Sequence, residues 1–201
     1  LLIALTFGLL TGLAAGAFAR GPWDRLSMFL ATAGISIPNF VLGAFLILIF
    51  SHQFKLFPPA LWEDARSVVL PAFALGLAPA AYIARLTRAS ILEEKDRDYV
   101  RTARAKGLPE STILFRHVLK NAVAPVITIL GPLAATLVTG SFVIEFIFSV
   151  PGMGQFFITA VTNRDYPLIM GVTLVYALLI VACNLGVDIF YTVLDPRIPL
   201  E

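Results

Sequence analysis

The chain has 201 residues, of which 58% are hydrophobic and only 14% charged, and it contains 16 phenylalanines. This composition excludes an ordinary soluble domain and is typical of a protein embedded in a membrane. The net charge of +2 is too small to indicate a nucleic-acid partner. The single cysteine, Cys183, provides neither a disulfide framework nor a thiolate metal site from this chain alone.

Five charge-free runs are long enough to cross a membrane as helices. A helix of about 20 apolar residues crosses about 30 Å of hydrocarbon, and a central Arg, Lys or Asp is costly there. The runs are residues 1–19, 26–51, 67–84, 121–144 and 166–187. They predict an all-α fold, a polytopic membrane helical bundle with five spans present. Because the first run opens inside apolar sequence without an initiator Met, we expect an N-terminal helix to be missing.

Glycine and proline within these runs predict how the spans pack and bend. Gly8, Gly12 and Gly16 recur at four-residue spacing, which lets another helix backbone approach closely. Kinks are predicted at the prolines of the later spans, which are Pro38, Pro71, Pro79, Pro125 and Pro132.

A sixth charge-free segment, residues 146–163, is interrupted by Pro151, Gly152 and Gly154. These residues break a straight span, so we predict a bent or re-entrant segment. Glu145 precedes it and is predicted to hydrogen-bond the amides that the break frees, with contact to substrate as the alternative. Glu145, Pro151, Gly152 and Gly154 are therefore the gate or structural candidates.

Basic residues are divided unequally between alternate loops. The loops at 20–25 and 85–120 together with the C-terminal tail contain 12 Lys and Arg, against 3 in the other loops. The positive-inside rule therefore places loop 85–120 and the C-terminus in the cytoplasm.

Loop 85–120 contains nine basic and five acidic residues and has a predicted internal structure. Asp98 can cap a short helix that runs through Lys106, and Gly107 suits the end of that helix. Pro109 and Glu110 suit the first turn of the next helix. Apolar residues recur at helical spacing in this second helix, at Leu114, Phe115, Val118, Leu119 and Ala122.

Two hypotheses explain a short basic helix held outside the membrane. Ala103 and Ala105 are small and lie among Arg101, Arg104 and Lys106, which suits a helix laid in the groove of a partner protein. The alternative is an interfacial helix that rests on anionic lipid headgroups.

The loop also matches a known pattern. It reads Arg101-Thr102-Ala103, then Gly107 four residues after Ala103, then His117-Val118-Leu119-Lys120. This resembles the cytoplasmic coupling motif of ABC importer permeases, which is Glu-Ala-Ala, three residues, Gly, nine residues and Ile-x-Leu-Pro. Ala103, Gly107 and Leu119 match the motif, whereas Arg101, Thr102, His117 and Lys120 depart from it.

At these positions the chain resembles the dipeptide, oligopeptide and nickel branch of these permeases, in which the sequence usually reads ARAKGL followed by RH.L.NA..P. Further likenesses are GISIPNF at 34–40, E..FS.PG.G at 145–154, NRDYP at 163–167 and DPR at 195–197. The resemblance covers essentially the whole chain.

The resemblance implies a type I ABC importer transmembrane domain over residues 1–201, with loop 85–120 as its coupling loop. It implies an ATPase-coupling role for Arg101, Ala103, Arg104, Ala105, Lys106, Gly107, Leu108 and His117. The implied partners are a second homologous permease, two ABC ATPase subunits, an extracytoplasmic substrate-binding protein and membrane lipid.

The implied location is a bacterial or archaeal inner membrane. The chain has no GxxxxGK[ST] phosphate loop, so we expect ATP and Mg²⁺ to be bound by the ATPase partners and no cofactor, metal or catalytic residue in this chain.

The implied function is coupling ATPase closure to the import of dipeptides or oligopeptides. The alternatives are a nickel importer permease of the same family and an ion-driven secondary transporter. The transporter alternative is disfavoured because paired intramembrane charges and an inverted repeat are not evident. An intramembrane enzyme is disfavoured because neither HExxH nor GxSxG occurs.

Overall fold

A computed structural model describes the backbone of residues 1–62, 64–140 and 142–194, with side chains except at 138, 139, 187, 188 and 190–194. Within these ranges the chain forms helices and turns and no strand, which confirms the all-α prediction. The DPR motif at 195–197 lies outside the described residues.

Eleven α-helices are connected by short turns, two π-helical segments and one 3₁₀ turn within the described ranges. In chain order they are α1 (Leu2–Ala17), α2 (Pro22–Ser36), α3 (Asn39–Leu46) continued by a π-helical segment (Ile47–Gln53), a 3₁₀ turn (Ala65–Val68), α4 (Val69–Lys95), α5 (Asp98–Ala105), α6 (Glu110–Thr112) continued by a π-helical segment (Ile113–Val118), α7 (Leu119–Ala122), α8 (Ala124–Thr139), α9 (Phe142–Ile147), α10 (Met153–Asn163) and α11 (Tyr166–Leu194).

Not every predicted span is one continuous helix. Among the described residues, Ala65–Lys95 and Tyr166–Gly186 are each long and apolar enough to cross a membrane, and α1 is a shorter apolar helix. Two pairs of helices separated by a bend, α2 with α3 and Glu110–Ala122 with α8, bring the number of candidate spans to four if each pair is one span. The second and fourth predicted runs are therefore interrupted.

Proline explains one interruption and lies near the other. Pro38 has no amide hydrogen and restricts the residue before it, so α2 ends at Ser36 and α3 begins at Asn39. The fourth run breaks at Val123, two residues before Pro125. In contrast, α4 and α8 continue through Pro79 and Pro132 without a break, and the kinks expected there stay a prediction.

The chain divides into two compact units, with boundaries that fall inside α4 and α8. Unit 1 comprises Leu1–Ser36 and Gly76–Leu130, and unit 2 comprises Ile37–Leu75 and Gly131–Glu201. Each unit has its own buried clusters, so they are described separately.

In unit 1, the glycine row of α1 packs directly on α4. A methyl group added at Gly12 would lie 2.6 Å from the Ala84 carbonyl oxygen and 2.7 Å from the Thr87 Cβ. The same crowding recurs one turn away on each side, at Gly8 against Ile83 and at Gly16 against Ile91. The predicted close approach of a helix backbone to this glycine row is confirmed.

In unit 2, the core forms where α9 and the end of α3 meet the start of α4. Leu70, Ala74, Ile144 and Phe148 are buried together there. Asp64 begins the helical run into α4, because its carboxylate accepts hydrogen bonds from the Arg66 and Ser67 amides at 2.9 and 3.1 Å.

The glycine row gives a direct stability test. We expect Gly12→Ala to lower the thermal unfolding midpoint of the detergent-purified protein, because the added methyl would overlap α4 and cost about 1–3 kcal/mol. Gly171→Ala is the matched control, since nothing lies within 4 Å of a methyl group there. An equal midpoint for the two variants would contradict the tight α1–α4 contact.

Candidate functional site

Helix α5 is short, basic and attached to the protein by one narrow face. It begins at Asp98, whose negative charge suits the positive end of the helix dipole. Only Val100 and Ala103 are buried, whereas Arg101, Arg104 and Ala105 are exposed. The helix ends one residue earlier than predicted, at Ala105, with Lys106 as its C-cap.

The predicted capping role of Asp98 is wrong. Arg97 occupies the N-cap position, and no side chain hydrogen-bonds the first amides of α5. The Asp98 carboxylate instead lies 3.6 Å from the Arg101 guanidinium one turn later, where both side chains are exposed. Such a pair contributes little to stability.

The buried face of α5 rests on an apolar cluster within unit 1. Val100 and Ala103 pack with residues from α4 and from the segment that follows the turn, which are Ile91, Ile113, Val118 and Ala122, and Leu13 of α1 lies against them. Ala103 therefore faces the protein's own core. The idea that Ala103 and Ala105 together line a partner's groove is corrected, because only Ala105 is exposed.

The helix after the turn buries the predicted apolar face only in part, since Val118 and Ala122 are buried as expected but Phe115 is not. Phe115 is 60% exposed, while Ile113 and Val118 are fully buried. The cause is the π-helical segment Ile113–Val118, in which the hydrogen bonds close five residues apart and the helix is wider than an α-helix. Ile113 and Val118, five residues apart, thus share the inner face, and a search at α-helical spacing misses Ile113.

The turn between the two helices is held by the backbone. Gly107 has φ +76°, the left-handed conformation that glycine adopts without strain. The Gly107 amide donates to the Arg104 carbonyl at 2.9 Å, and the Leu108 amide donates to the Ala103 carbonyl at 3.3 Å. This pair of bonds is the Schellman motif, so the predicted role of Gly107 in terminating the helix is confirmed. Pro109 then precedes the next helix as its N-cap.

One ion pair between exposed side chains spans the turn. The Arg104 guanidinium contacts both oxygens of the Glu110 carboxylate, at 2.6 and 3.4 Å. Because both side chains are exposed, the pair contributes less than about 1 kcal/mol to stability.

Tyr99 connects α5 to the helices on both sides. Its phenol donates a short hydrogen bond to the Glu94 carboxylate and accepts one from the Asn121 side chain at 3.1 Å, and it lies 3.4 Å from the His117 carbonyl oxygen. The pKa of the Tyr99 phenol is raised, first by burial and then by the bond to Glu94. The phenol therefore remains a donor at neutral pH.

Two basic side chains of α4 attach that helix to α1 and α2. The Lys95 ammonium donates to the last carbonyls of α1, those of Gly16 and Ala17, at 2.7 and 3.1 Å. These carbonyls have no partner within their own helix and carry its negative dipole end, so a lysine is well placed to stabilise them.

The second attachment is a two-point ion pair between Arg88 and Asp24. The guanidinium donates to both carboxylate oxygens at 2.5 and 2.8 Å, and the Arg20 amide donates to the same carboxylate at 2.8 Å. Asp24 is buried, whereas Arg88 is partly exposed. Arg88 therefore has a partner within the chain.

Sequence reasoning missed Asp24, Lys95 and Tyr99 as positioning residues. Asp24 lies 64 residues from Arg88, and Lys95 lies 79 residues from Gly16, so no local spacing links them. The one available signal was the charge on Asp24, which follows Pro22 at the start of a helix.

In unit 2, the Glu145 carboxylate lies close to three glycines, Gly140, Gly152 and Gly154. The Gly154 amide donates to its carboxylate at 2.7 Å, which is the structural role predicted for Glu145. Gly154 belongs to the first turn of α10, whose N-cap Gly152 provides no side-chain cap. The carboxylate thus caps α10 from nine residues upstream, and side chains at Gly140, Gly152 or Gly154 would crowd it.

The predicted site residues therefore form two separate groups. The coupling group exposes Arg101, Arg104, Ala105, Lys106, Gly107 and Leu108, with His117 half-buried and Ala103 buried. The other group comprises Glu145, Gly152 and Gly154, next to the exposed Pro151. Among the described residues, no group of three or more His, Cys, Asp and Glu is arranged to hold a metal ion.

These features define a multi-pass membrane protein whose apolar helices carry a short, exposed basic helix. The chain belongs to the family of binding-protein-dependent transport system inner membrane components, which matches residues 6–199.

Curated relatives align over nearly the whole chain. It is 48% identical over 201 residues to the dipeptide transport system permease protein DppB of Bacillus subtilis (strain 168), covering 100% of this chain and 65% of that protein. It is 40% identical to the oligopeptide permease protein OppB of Salmonella typhimurium (strain LT2), covering 98% and 65%. It is 41% identical to the glutathione permease protein GsiC of Shigella flexneri serotype 5b, covering 97% and 64%. The chain thus spans just under two thirds of the length of these relatives.

The Asp24–Arg88 pair gives a second test. We expect Asp24→Asn to destabilise the protein by about 1–3 kcal/mol, because it leaves a partly buried guanidinium without its countercharge. Thermal unfolding of Asp24→Asn, Arg88→Gln and the double variant measures the coupling. Arg25→Gln, an exposed neighbour, should be neutral, and strictly additive effects of the two changes would contradict the pair.

The Glu145 cap gives a third test. Glu145→Gln retains an oxygen that can accept the Gly154 amide, so we expect nearly native thermal stability. Glu145→Ala leaves that amide unpaired and should cost about 1–3 kcal/mol. Equal destabilisation by both changes would show that the charge, and not the acceptor, is what α10 requires.

Proposed function

We propose that the chain is the membrane-spanning permease subunit of an ATP-driven importer of dipeptides or oligopeptides, and that it provides no catalytic group. The observation that carries the proposal is α5, an exposed basic helix fixed to the protein on one side only. Membership of a family of binding-protein-dependent transport components supports it. A helix fixed in this way can transmit a displacement, caused by a partner protein, to the helices on which it packs.

The mechanical path follows the contacts of α5. Val100 and Ala103 pack on Ile91 of α4, and Lys95 and Arg88 of α4 bond α1 and α2. A displacement of α5 is therefore transmitted to three membrane helices by packing and hydrogen bonds. In this proposal two ATP-hydrolysing subunits, which bind ATP and Mg²⁺, supply the displacement as they close.

The outward face of α5 has the composition of a docking surface. Ala105 is small and exposed, and Arg101, Arg104 and Lys106 lie beside it. Arg101 and Arg104 have the acidic neighbours Asp98 and Glu110, whereas Lys106 has no ion-pair partner among the described residues. A partner groove with an acidic rim would complement this surface. With the excess of basic residues in the same loop, this favours a cytoplasmic position for residues 85–120 and for the C-terminus.

The proposed cargo is a short peptide. The relatives compared above are named for dipeptide, oligopeptide and glutathione transport, and glutathione is itself a small peptide. This favours peptide over nickel as the transported solute. A second, homologous permease and an extracytoplasmic binding protein complete the proposed assembly, located in a bacterial or archaeal inner membrane.

Bulk on the exposed face of α5 tests the docking role. In full-length protein coexpressed with its ATPase partners, we expect Ala105→Trp to reduce peptide uptake by at least about tenfold while membrane insertion is unchanged, because the ring occupies the space the partner needs. Ala105→Ser keeps a small side chain at the same position and should transport normally. Normal uptake by Ala105→Trp would refute docking through this face.

Gly107→Trp should also abolish uptake, but its positive φ adds backbone strain to the added bulk. Gly107→Asn separates the two effects, because asparagine tolerates the left-handed conformation.

Crosslinking tests the identity of the partner. A cysteine at Ala105, with Cys183 replaced by Ala, should crosslink to an ATPase subunit in native membranes, and the yield should change when ATP is added. Labelling of lipid alone under every nucleotide condition would favour the interfacial-helix alternative.

A further inference from the structure

Two cavities of unit 1 meet at one side chain, Lys95. The first is an apolar groove of about 420 Å³ between the second half of α1 and the segment after the α5 turn. The second is a cationic pocket, also about 420 Å³, between the α1–α2 connection, the end of α4 and α5. Lys95 lines both, so the apolar groove and the cationic pocket adjoin at this side chain.

The apolar groove exposes large hydrocarbon side chains. Leu10 and Phe18 of α1 are 62% and 63% exposed, and Phe115 on the opposite wall is 60% exposed. From Leu10 to Phe18 the helix rises about 12 Å, which is close to the thickness of the hydrocarbon of one leaflet. Since α1 is an apolar helix of a membrane protein, this surface suits a lipid acyl chain.

The cationic pocket contains more positive than negative side chains. Arg20, Arg88, Lys95 and Arg104 line it, together with the carboxylate of Asp96. Arg88 is bonded to Asp24 and Arg104 to Glu110, so the four cations meet three carboxylates and leave a single excess positive charge. One phosphodiester group carries the complementary charge.

Arg20 and Lys95 are the residues best placed to bind that group. The Arg20 side chain has no hydrogen-bond partner among the described residues, and only its backbone amide is used. Lys95 donates two of its three N–H groups to the end of α1, which leaves one for a ligand.

We propose that unit 1 binds one anionic phospholipid, with an acyl chain in the apolar groove and the headgroup phosphate at Arg20 and Lys95. The position next to α5 means that the lipid would fill the space between α1 and the helix that leaves the turn. A soluble anion would use the cationic pocket without the groove. A protein partner would use the charges without needing a hydrocarbon surface of leaflet depth.

The experiment is native mass spectrometry of the full-length permease complex, titrated with dioleoylphosphatidylglycerol, dioleoylphosphatidylcholine and inorganic phosphate. We expect phosphatidylglycerol to bind at least about fivefold more tightly than phosphatidylcholine. Arg20→Gln should weaken phosphatidylglycerol binding about fivefold, the effect of one basic residue at a lipid surface, and leave phosphatidylcholine unchanged. Arg25→Gln, the same change at an exposed residue outside the pocket, should leave both unchanged.

A second pair of variants tests the groove. Ser111 is exposed and lines it, so Ser111→Trp should fill it and weaken both lipids, whereas Thr128→Trp, at an exposed position outside the groove, should not.

Three results would overturn the proposal. The first is equal binding of the two lipids with no effect of Arg20→Gln. The second is phosphate that displaces phosphatidylglycerol regardless of Ser111→Trp, which would identify a soluble-anion site. The third is Arg20→Gln that weakens only ATPase association, which would identify a protein contact.

Discussion

The close contact between α1 and α4 is the constraint on which unit 1 depends. Gly8, Gly12 and Gly16 bring the two backbones within van der Waals contact, and this distance determines where the end of α4 lies. At that distance the Lys95 ammonium reaches the last carbonyls of α1. Ile91, which lies against Gly16, also belongs to the buried cluster on which α5 packs. The position of the basic helix is therefore determined by helix packing within the membrane segments.

The polar contacts of unit 1 also help to determine the position of α5. Most basic residues near α5 have internal partners: Arg88 bonds Asp24, Lys95 bonds the end of α1, and Arg104 bonds Glu110. A charge that already has a partner costs less to bring near hydrocarbon than a free one. This is how a short basic segment is held against apolar helices without separating from them.

The features that could be predicted from sequence are those with a local cause. The glycine row, the helix end at Gly107 and the Glu145 cap each depend on residues fewer than ten positions apart, so spacing alone indicates them. The break at Pro38 was visible too, but it was interpreted as a kink, because proline does not say whether the helix resumes in the same direction. The Asp24–Arg88 and Lys95–Gly16 contacts could not be predicted, since they depend on how distant helices pack. The burial of Ala103 was missed because eight residues are too few to define an apolar face. Ile113 was missed on the buried face after the turn because the π-helical segment changes the period.

At the Schellman turn of Gly107, the backbone path of the segment and the charge on its exposed face depend on different atoms. The bonds from Gly107 and Leu108 to Arg104 and Ala103 use only backbone atoms, and the inward anchors are Val100 and Ala103. The outward side chains, Arg101 and Lys106 among them, contribute almost nothing to the path of the chain. Replacing them would alter the charge of the exposed face of α5 while leaving the backbone in place. In the docking role proposed for α5, Arg101, which stands where the general motif has a glutamate, would change the charge offered to a partner without changing the backbone that presents it.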